Sequence, residues 1–177
     1  MKYQNIAPLN GREFTSADVK FSIERYMKHP KSSFANRFDD ISSIETPDKN
    51  TVVFKLKQPY SWVEYSLGNH AGNYPAIMRE KEALIDPMTA VGADAQIGSG
   101  PYKFARDQWK PGDEVVYVKN ADYVPRAEAP DGMAGGRQAK VDRLIFKIIP
   151  DPQTAASALL KGEVDFIDSP AADVLPQ

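Results

Sequence analysis

Cysteine is absent from the 177 residues, and histidine occurs only twice, at His29 and His70. A chain of this kind cannot build a disulfide framework, a Cys-ligated zinc site, an iron–sulfur cluster or a thiol nucleophile. The two histidines are far apart in sequence and show no H-E-x-x-H spacing. No run of about 18 apolar residues is present, so no transmembrane helix and no membrane insertion is expected. The opening Met1-Lys2-Tyr3-Gln4-Asn5 is not a signal peptide, because no apolar stretch follows a basic start. On the residues alone, either the chain is cytoplasmic or a leader has been removed. An excess of either charge is also missing. Lys plus Arg is 22 and Asp plus Glu is 24, a net charge of −2, so the basic footprint of a nucleic-acid binder is lacking. Internal repeats and low-complexity segments are absent.

What is present is ordinary globular composition, with 42% hydrophobic and 26% charged residues. The length suggests one domain or two small ones, with room for a real core. A helix start stands at Thr15, with Asp18 three residues on as a capping-box partner. Val19, Ile23, Tyr26 and Met27 make one apolar stripe, and Pro30 stops the helix. Residues 41–45 and 51–56 read as a hairpin across Thr46-Pro47-Asp48-Lys49-Asn50. Residues 61–67 read as a short helix stopped by Gly68, and Pro75 to Ile85 as another with proline at its first position. Residues 102–106 and 114–119 pair as a hairpin across Pro111-Gly112. Residues 120–140 form a long loop, a class that is usually functional, interfacial or mobile. Val141 to Ile149 is a strand, Asp151-Pro152 opens a helix that Gly162 closes, and Val164 to Ile167 is a second strand. This strand–helix–strand run predicts a βαβ unit. The fold class expected is α+β, a mixed β-sheet with packed helices.

Candidate chemistry is sparse. Gly98-Ser99-Gly100 lacks the full G-x-G-x-x-G, and Pro101 replaces the phosphate-binding helix, so a tight turn is the expected reading. Gly135-Gly136-Arg137 reads as loop flexibility. Asp39-Asp40 and Asp165/Asp168 are the nearest approach to paired catalytic carboxylates. The first pair reads as solvated, and the second flanks a strand step that points its members to opposite faces. Lys103, Arg106, Trp109 and Lys110 read as a half-exposed hairpin with a stacked tryptophan. The loop Gly68 to Tyr74, with Asn69, His70, Asn73 and Tyr74, follows Trp62 and Tyr65, which are one helical turn apart. Two readings stand for it: a core edge with a surface loop, or an aromatic wall and donor-rich loop facing a small molecule.

Taken in order along the chain, several motifs resemble one family. Gly11-Arg12-Glu13-Phe14-Thr15-Ser16-Ala17-Asp18-Val19 through Arg25 is similar to its G-x-x-[LF]-T-A-x-D-V pattern. Thr51 to Leu56 before Pro59 follows. Ile97-Gly98-Ser99-Gly100-Pro101-Tyr102 is similar to [IV]-G-[TS]-G-P-[YF], Trp109-Lys110-Pro111-Gly112 to W-x-P-G, and Asn120-Ala121-Asp122-Tyr123 to N-x-D-Y. Val141 to Asp151 and Gly162-Glu163-Val164-Asp165 complete the set. These motifs resemble the family 5, peptide/nickel-type, extracytoplasmic solute-binding proteins of ABC importers. Residues 123–136 are similar to a longer insertion in one branch of that family.

The resemblance implies a partial lobe of a two-lobed, periplasmic-binding-protein type II-like fold. Residues 1–95 would be the accessory subdomain of lobe one and residues 96–177 part of its core sheet, an internal piece without its signal peptide. It implies a periplasmic protein, not an enzyme and without a cofactor, that captures a peptide or similar small-molecule ligand. Two lobes close on the solute, and the ABC transporter permease subunits receive it. Trp62, His70, Asn73 and Tyr74 are the expected ligand wall. The nickel-type relative places an arginine in the loop where this chain has Asn69, His70 and Asn73. That leaves peptide, opine or oligosaccharide ahead of a metal chelate. The rival classes are a carboxylate-based hydrolase using Asp165 and Asp168, and an interaction scaffold built on the 120–140 loop.

Overall fold

Helix α1 (Ser16–Lys28) begins where Thr15 turns the chain from extended to helical backbone. The predicted capping box is formed. The Asp18 carboxylate accepts the Thr15 backbone N–H at 2.9 Å and the Thr15 hydroxyl at 3.1 Å. The helix ends at His29, directly before Pro30, as the proline requires. In the computed structural model, residues 1–31, 35–68, 75–92, 96–132 and 134–172 are described. They divide into two compact units, residues 1–103 with 120–138 and residues 104–119 with 139–177. The expected subdomain boundary at 95/96 therefore falls inside the first unit.

The first unit is built on α1 and a hairpin of β1 (Ile41–Asp48) and β2 (Thr51–Leu56). Ile44 stands opposite Phe54 and Ile41 opposite Leu56 in the antiparallel pair, so both apolar faces turn to the helix. Ile23, Phe38, Ile41 and Ile44 form the buried core. Val19, Tyr26 and Met27 from the α1 stripe close over it, together with Leu67 from α2 (Val63–Gly68) and Ile77.

The expected helix over 75–85 is a correction. Only Glu80–Ala83 is helical, as α3, and Pro75 to Arg79 run extended. The reason lies on α1. Asp18, Ser22 and Tyr26 recur every fourth residue on one side of that helix. Asp18 Oδ1 accepts the Glu80 N–H at 3.1 Å, Ser22 Oγ accepts the Met78 N–H at 2.9 Å, and Tyr26 Oη accepts the Ala76 N–H at 3.1 Å. Four helical residues rise about 6.0 Å and two extended residues about 6.6 Å, so the two periods match. Side chains thus satisfy the N–H groups of Ala76, Met78 and Glu80 without a helix, and Ala76 would have been left without a partner in the first turn of one. Arg25 continues the same tether, donating to the carbonyls of Ile85, Pro87 and Thr89.

The second unit takes in the end of β3 (Tyr102–Phe104), then β4 (Glu114–Lys119) and β5 (Arg143–Lys147), in sheet order β3-β4-β5. β4 and β5 pair antiparallel, with Val116 opposite Ile145. Phe104, Trp109, Tyr117 and Phe146 are linked edge to face or tilted along this sheet. Helix α4 (Pro152–Leu160) starts as predicted. Asp151 caps it by accepting the Thr154 N–H at 2.8 Å, with proline in its first turn. Gly162 leaves it at φ +71°, the left-handed backbone that favours glycine. The expected second strand over 164–167 is not formed, so no βαβ unit is present among the described residues. A strand requires a neighbouring edge to satisfy its backbone, and residues 164–167 pair with none.

Asp18 is 1% exposed. Burial alone would raise its pKa, but the Arg12 hydrogen bond, the backbone N–H groups of Thr15 and Glu80, and the Arg12 charge together hold it below the usual aspartate range. A carboxyl lowered on folding contributes stability above its unfolded pKa of about 3.9 and loses it as pH falls through the folded value. Stability should therefore drop below about pH 4, and Asp18→Asn should flatten that acid limb. Asp18→Ala should cost about 1–3 kcal/mol by stranding several donors. Urea unfolding between pH 2.5 and 7 checks both.

Candidate functional site

Trp62 stands at the start of α2, where its carbonyl accepts the Ser66 N–H at 2.9 Å. The indole is 61% exposed and Tyr65 is also exposed. Their rings meet edge to face, 5.5 Å apart at 84°. Leu67 on the same helix is packed against the core, so the helix is anchored by one side while the aromatic pair faces solvent. Two exposed, mutually braced rings form a stiff apolar surface of the kind that binds small solutes at low entropic cost. Of the residues expected to form a ligand wall, Trp62 is exposed beside Tyr65. His70, Asn73 and Tyr74 lie outside the described residues, as does Asn69. The chain resumes at Pro75 and is fixed to α1 from Ala76 onward.

Sequence reasoning missed a cleft in the first unit. It has a volume of about 820 Å³. Lys2, Gln4, Asn10, Asp122, Tyr123 and Arg126 are among the residues lining it. Ser99, Gly100 and Pro101, from the Gly98–Pro101 turn, also line it. Gln4 Nε2 donates to the carbonyls of Gly100 at 3.2 Å and Tyr102 at 2.6 Å, and Asn120 Nδ2 donates to Gly100 at 3.1 Å. The turn therefore offers carbonyls to buried amides. Strand β3, not a helix, follows it, so the helix that a phosphate cradle of the N-terminal kind requires is not there. The signal available in the sequence was the wide separation of two amide residues, Gln4 and Asn120, which becomes informative only once the chain is folded.

One wall of the cleft comes from the 120–138 loop, and here the expected flexibility of Gly135-Gly136 is corrected. The Gly136 N–H bonds the Glu128 carbonyl at 2.8 Å. A Cβ on Gly135, which sits at φ +72°, would collide with the Ala129 carbonyl, and one on Gly136 would collide with that of Arg126. Both glycines are required by close backbone approach, and the loop closes on itself.

The remaining candidates separate. Asp165 and Asp168 are exposed, and the Asp168 carboxylate accepts the hydroxyl of its neighbour Ser169 at 3.5 Å. Asp40 accepts a hydrogen bond from Gln58 at 2.9 Å on the surface. Trp109 is half-exposed beside Phe104, and Lys110 pairs with Glu114 at 2.7 Å. Among the described residues no cluster of three His, Asp or Glu side chains could hold a metal ion. Among them, too, no helix is long and apolar enough to cross a membrane.

The description "Bacterial extracellular solute-binding proteins, family 5 Middle" matches residues 9–177. The chain belongs to this family. It is 42% identical over 171 residues to a probable peptide ABC transporter periplasmic-binding protein of Sinorhizobium fredii, covering 94% of this chain and 31% of that protein. Among solved structures it is similar to the oligopeptide-binding protein AppA of Bacillus subtilis in complex with a nonapeptide. That match has 27% identity, a TM-score of 0.68, and covers 92% of this chain and 30% of the other. It is also similar to the binding protein AgaA of A. tumefaciens R10 in complex with agropinic acid. There the identity is 30%, the TM-score 0.63, and the cover 87% of this chain and 28% of the other. The chain thus spans about a third of the length of the curated relatives it matches. The fold is a partial segment of the type II periplasmic-binding-protein architecture, with α and β elements as expected.

Because Gly135 combines a left-handed φ with a backbone collision, Gly135→Ala should destabilise the first unit by more than about 1 kcal/mol. Gly112→Ala, also at positive φ but with open space around it, should cost less. Thermal melts of the two variants make the comparison.

Proposed function

We propose that the protein is the substrate-binding component of an ABC importer, capturing peptides outside the cytoplasmic membrane and delivering them to permease subunits. The observation that carries this reading is the 42% identity, over nearly the whole chain, to a relative named as a peptide ABC transporter periplasmic-binding protein. The solved relative with a nonapeptide supports the same ligand class. The protein works by reversible binding in the periplasm, with no bond made or broken. Residues 1–95 correspond to the accessory subdomain of the first lobe and residues 96–177 to part of its core sheet.

Trp62, His70, Asn73 and Tyr74 form the ligand wall in this proposal. The exposed Trp62–Tyr65 pair supplies apolar contact, and the loop that follows supplies hydrogen-bond donors and acceptors. Such a wall suits a peptide, whose side chains vary while its backbone presents regular amides. Binding would draw on buried hydrogen bonds to that backbone and on side-chain pockets. An opine is the second reading, favoured by the similarity to the agropinic acid complex.

Calorimetric titration of the full-length protein with peptides of two to nine residues, agropinic acid and a nickel–histidine chelate tests the ligand class. Saturable binding of peptides is expected, with Trp62→Ala weakening it about tenfold. A flat peptide panel beside a saturable agropinic acid response would replace the peptide reading with the opine one.

A further inference from the structure

The three α1 side chains that hold residues 76–80 do more than satisfy isolated donors. We propose that Asp18, Ser22 and Tyr26 act together as a rail that sets the register of the extended segment 75–80, with Pro75 rejecting the neighbouring register. On the reading that His70, Asn73 and Tyr74 meet the ligand, these four are positioning residues for the chain leading out of that loop.

The argument starts from periodicity. Along an extended segment, alternate residues face the same way, so a shift of one residue exchanges the two faces. Here the N–H groups of Ala76, Met78 and Glu80 face α1, while Ile77 packs against the core. A one-residue shift toward the C-terminus of the segment would place Pro75 at the Tyr26 hydroxyl. Proline has no N–H to donate, so that register loses one of its three bonds at once. It also withdraws Ile77 from the core. A two-residue shift in the same direction restores the bonding parity but sets Pro75 where Ile77 enters the core, and one in the opposite direction sets Arg79 there. The observed register satisfies both sides of the segment.

The rail is also internally braced. The Ser22 hydroxyl, which accepts the Met78 N–H, donates to the Asp18 carbonyl at 2.6 Å, with the Met78 carbonyl a further 3.2 Å from it. Asp18 is pinned by Arg12 at 2.7 Å from outside the helix. The Tyr26 ring packs against the core while its hydroxyl reaches Ala76. Each member is therefore fixed by contacts other than the one it makes to the segment. This is what a register-setting surface requires.

Hydrogen exchange of the 177-residue chain, resolved amide by amide, tests the rail without any ligand. In Ser22→Ala, the amides of Ala76, Met78 and Glu80 should all exchange about tenfold faster, the equivalent of one net hydrogen bond shared by a unit, while those of the β1–β2 hairpin stay unchanged. Acceleration confined to Met78, or none, would overturn the rail. If the hairpin amides accelerate equally, Tyr26→Phe decides, since it removes only the hydroxyl and keeps the ring in the core. Pro75→Ala should add a second population with protected Ile77 and Arg79 amides, and a single native pattern would remove Pro75 from the proposal. A rail confirmed by exchange beside a failed ligand titration would leave the register argument standing and refute only the ligand reading.

Discussion

The first unit depends on one buried carboxylate. Asp18 lies at the third position of α1, almost without solvent contact, and accepts hydrogen bonds from Arg12, from Thr15 twice over and from Glu80. A charge in that position would be prohibitively costly alone. With its donors in place it joins the entry to the helix, the helix itself and the start of α3. Remove the carboxylate and three stretches of chain lose a common partner. Tyr3 lies close enough to feel it. Its phenol is pushed up to about 12, by burial first and by the Asp18 charge second, so it stays neutral beside the acid.

The same economy runs through the motifs that first suggested a family. Arg12, Thr15 and Asp18 build the capping cluster. The Gly98–Pro101 turn gives its carbonyls to Gln4 and Asn120. Asn120 also accepts the Asp122 N–H at 3.2 Å, and Asp122 pairs with Lys103 at 3.3 Å. These residues hold backbone in place. They are the reason the family can be read from so short a segment, and also the reason the solute cannot be. The motifs encode the scaffold.

That division explains which parts of the molecule were legible. Local rules worked where the deciding partner was close in sequence. Asp18 caps three residues from Thr15, Asp151 caps three from Thr154, and the 41–56 hairpin closes on its own turn. They failed where the partner was distant. Residues 75–79 carry a helix-start signal, yet Ser22 and Tyr26, about fifty positions away, offer their backbone better partners. The exposed Trp62–Tyr65 pair was legible as two aromatics one turn apart. The cleft was not, because Gln4 and Asn120 come together only through the fold.

By itself the sequence determined the helix boundaries set by Thr15, Pro30, Asp151 and Gly162, the β1–β2 hairpin, the apolar stripe of α1 and the family. These follow from capping, periodicity and backbone stereochemistry, which act over a few residues. Only the tertiary structure decided that residues 75–79 run extended, that Gly135 and Gly136 serve close packing, and that 164–167 stays unpaired. Each of those outcomes turns on whether a backbone group finds a partner from a remote part of the chain, and no local pattern carries that information.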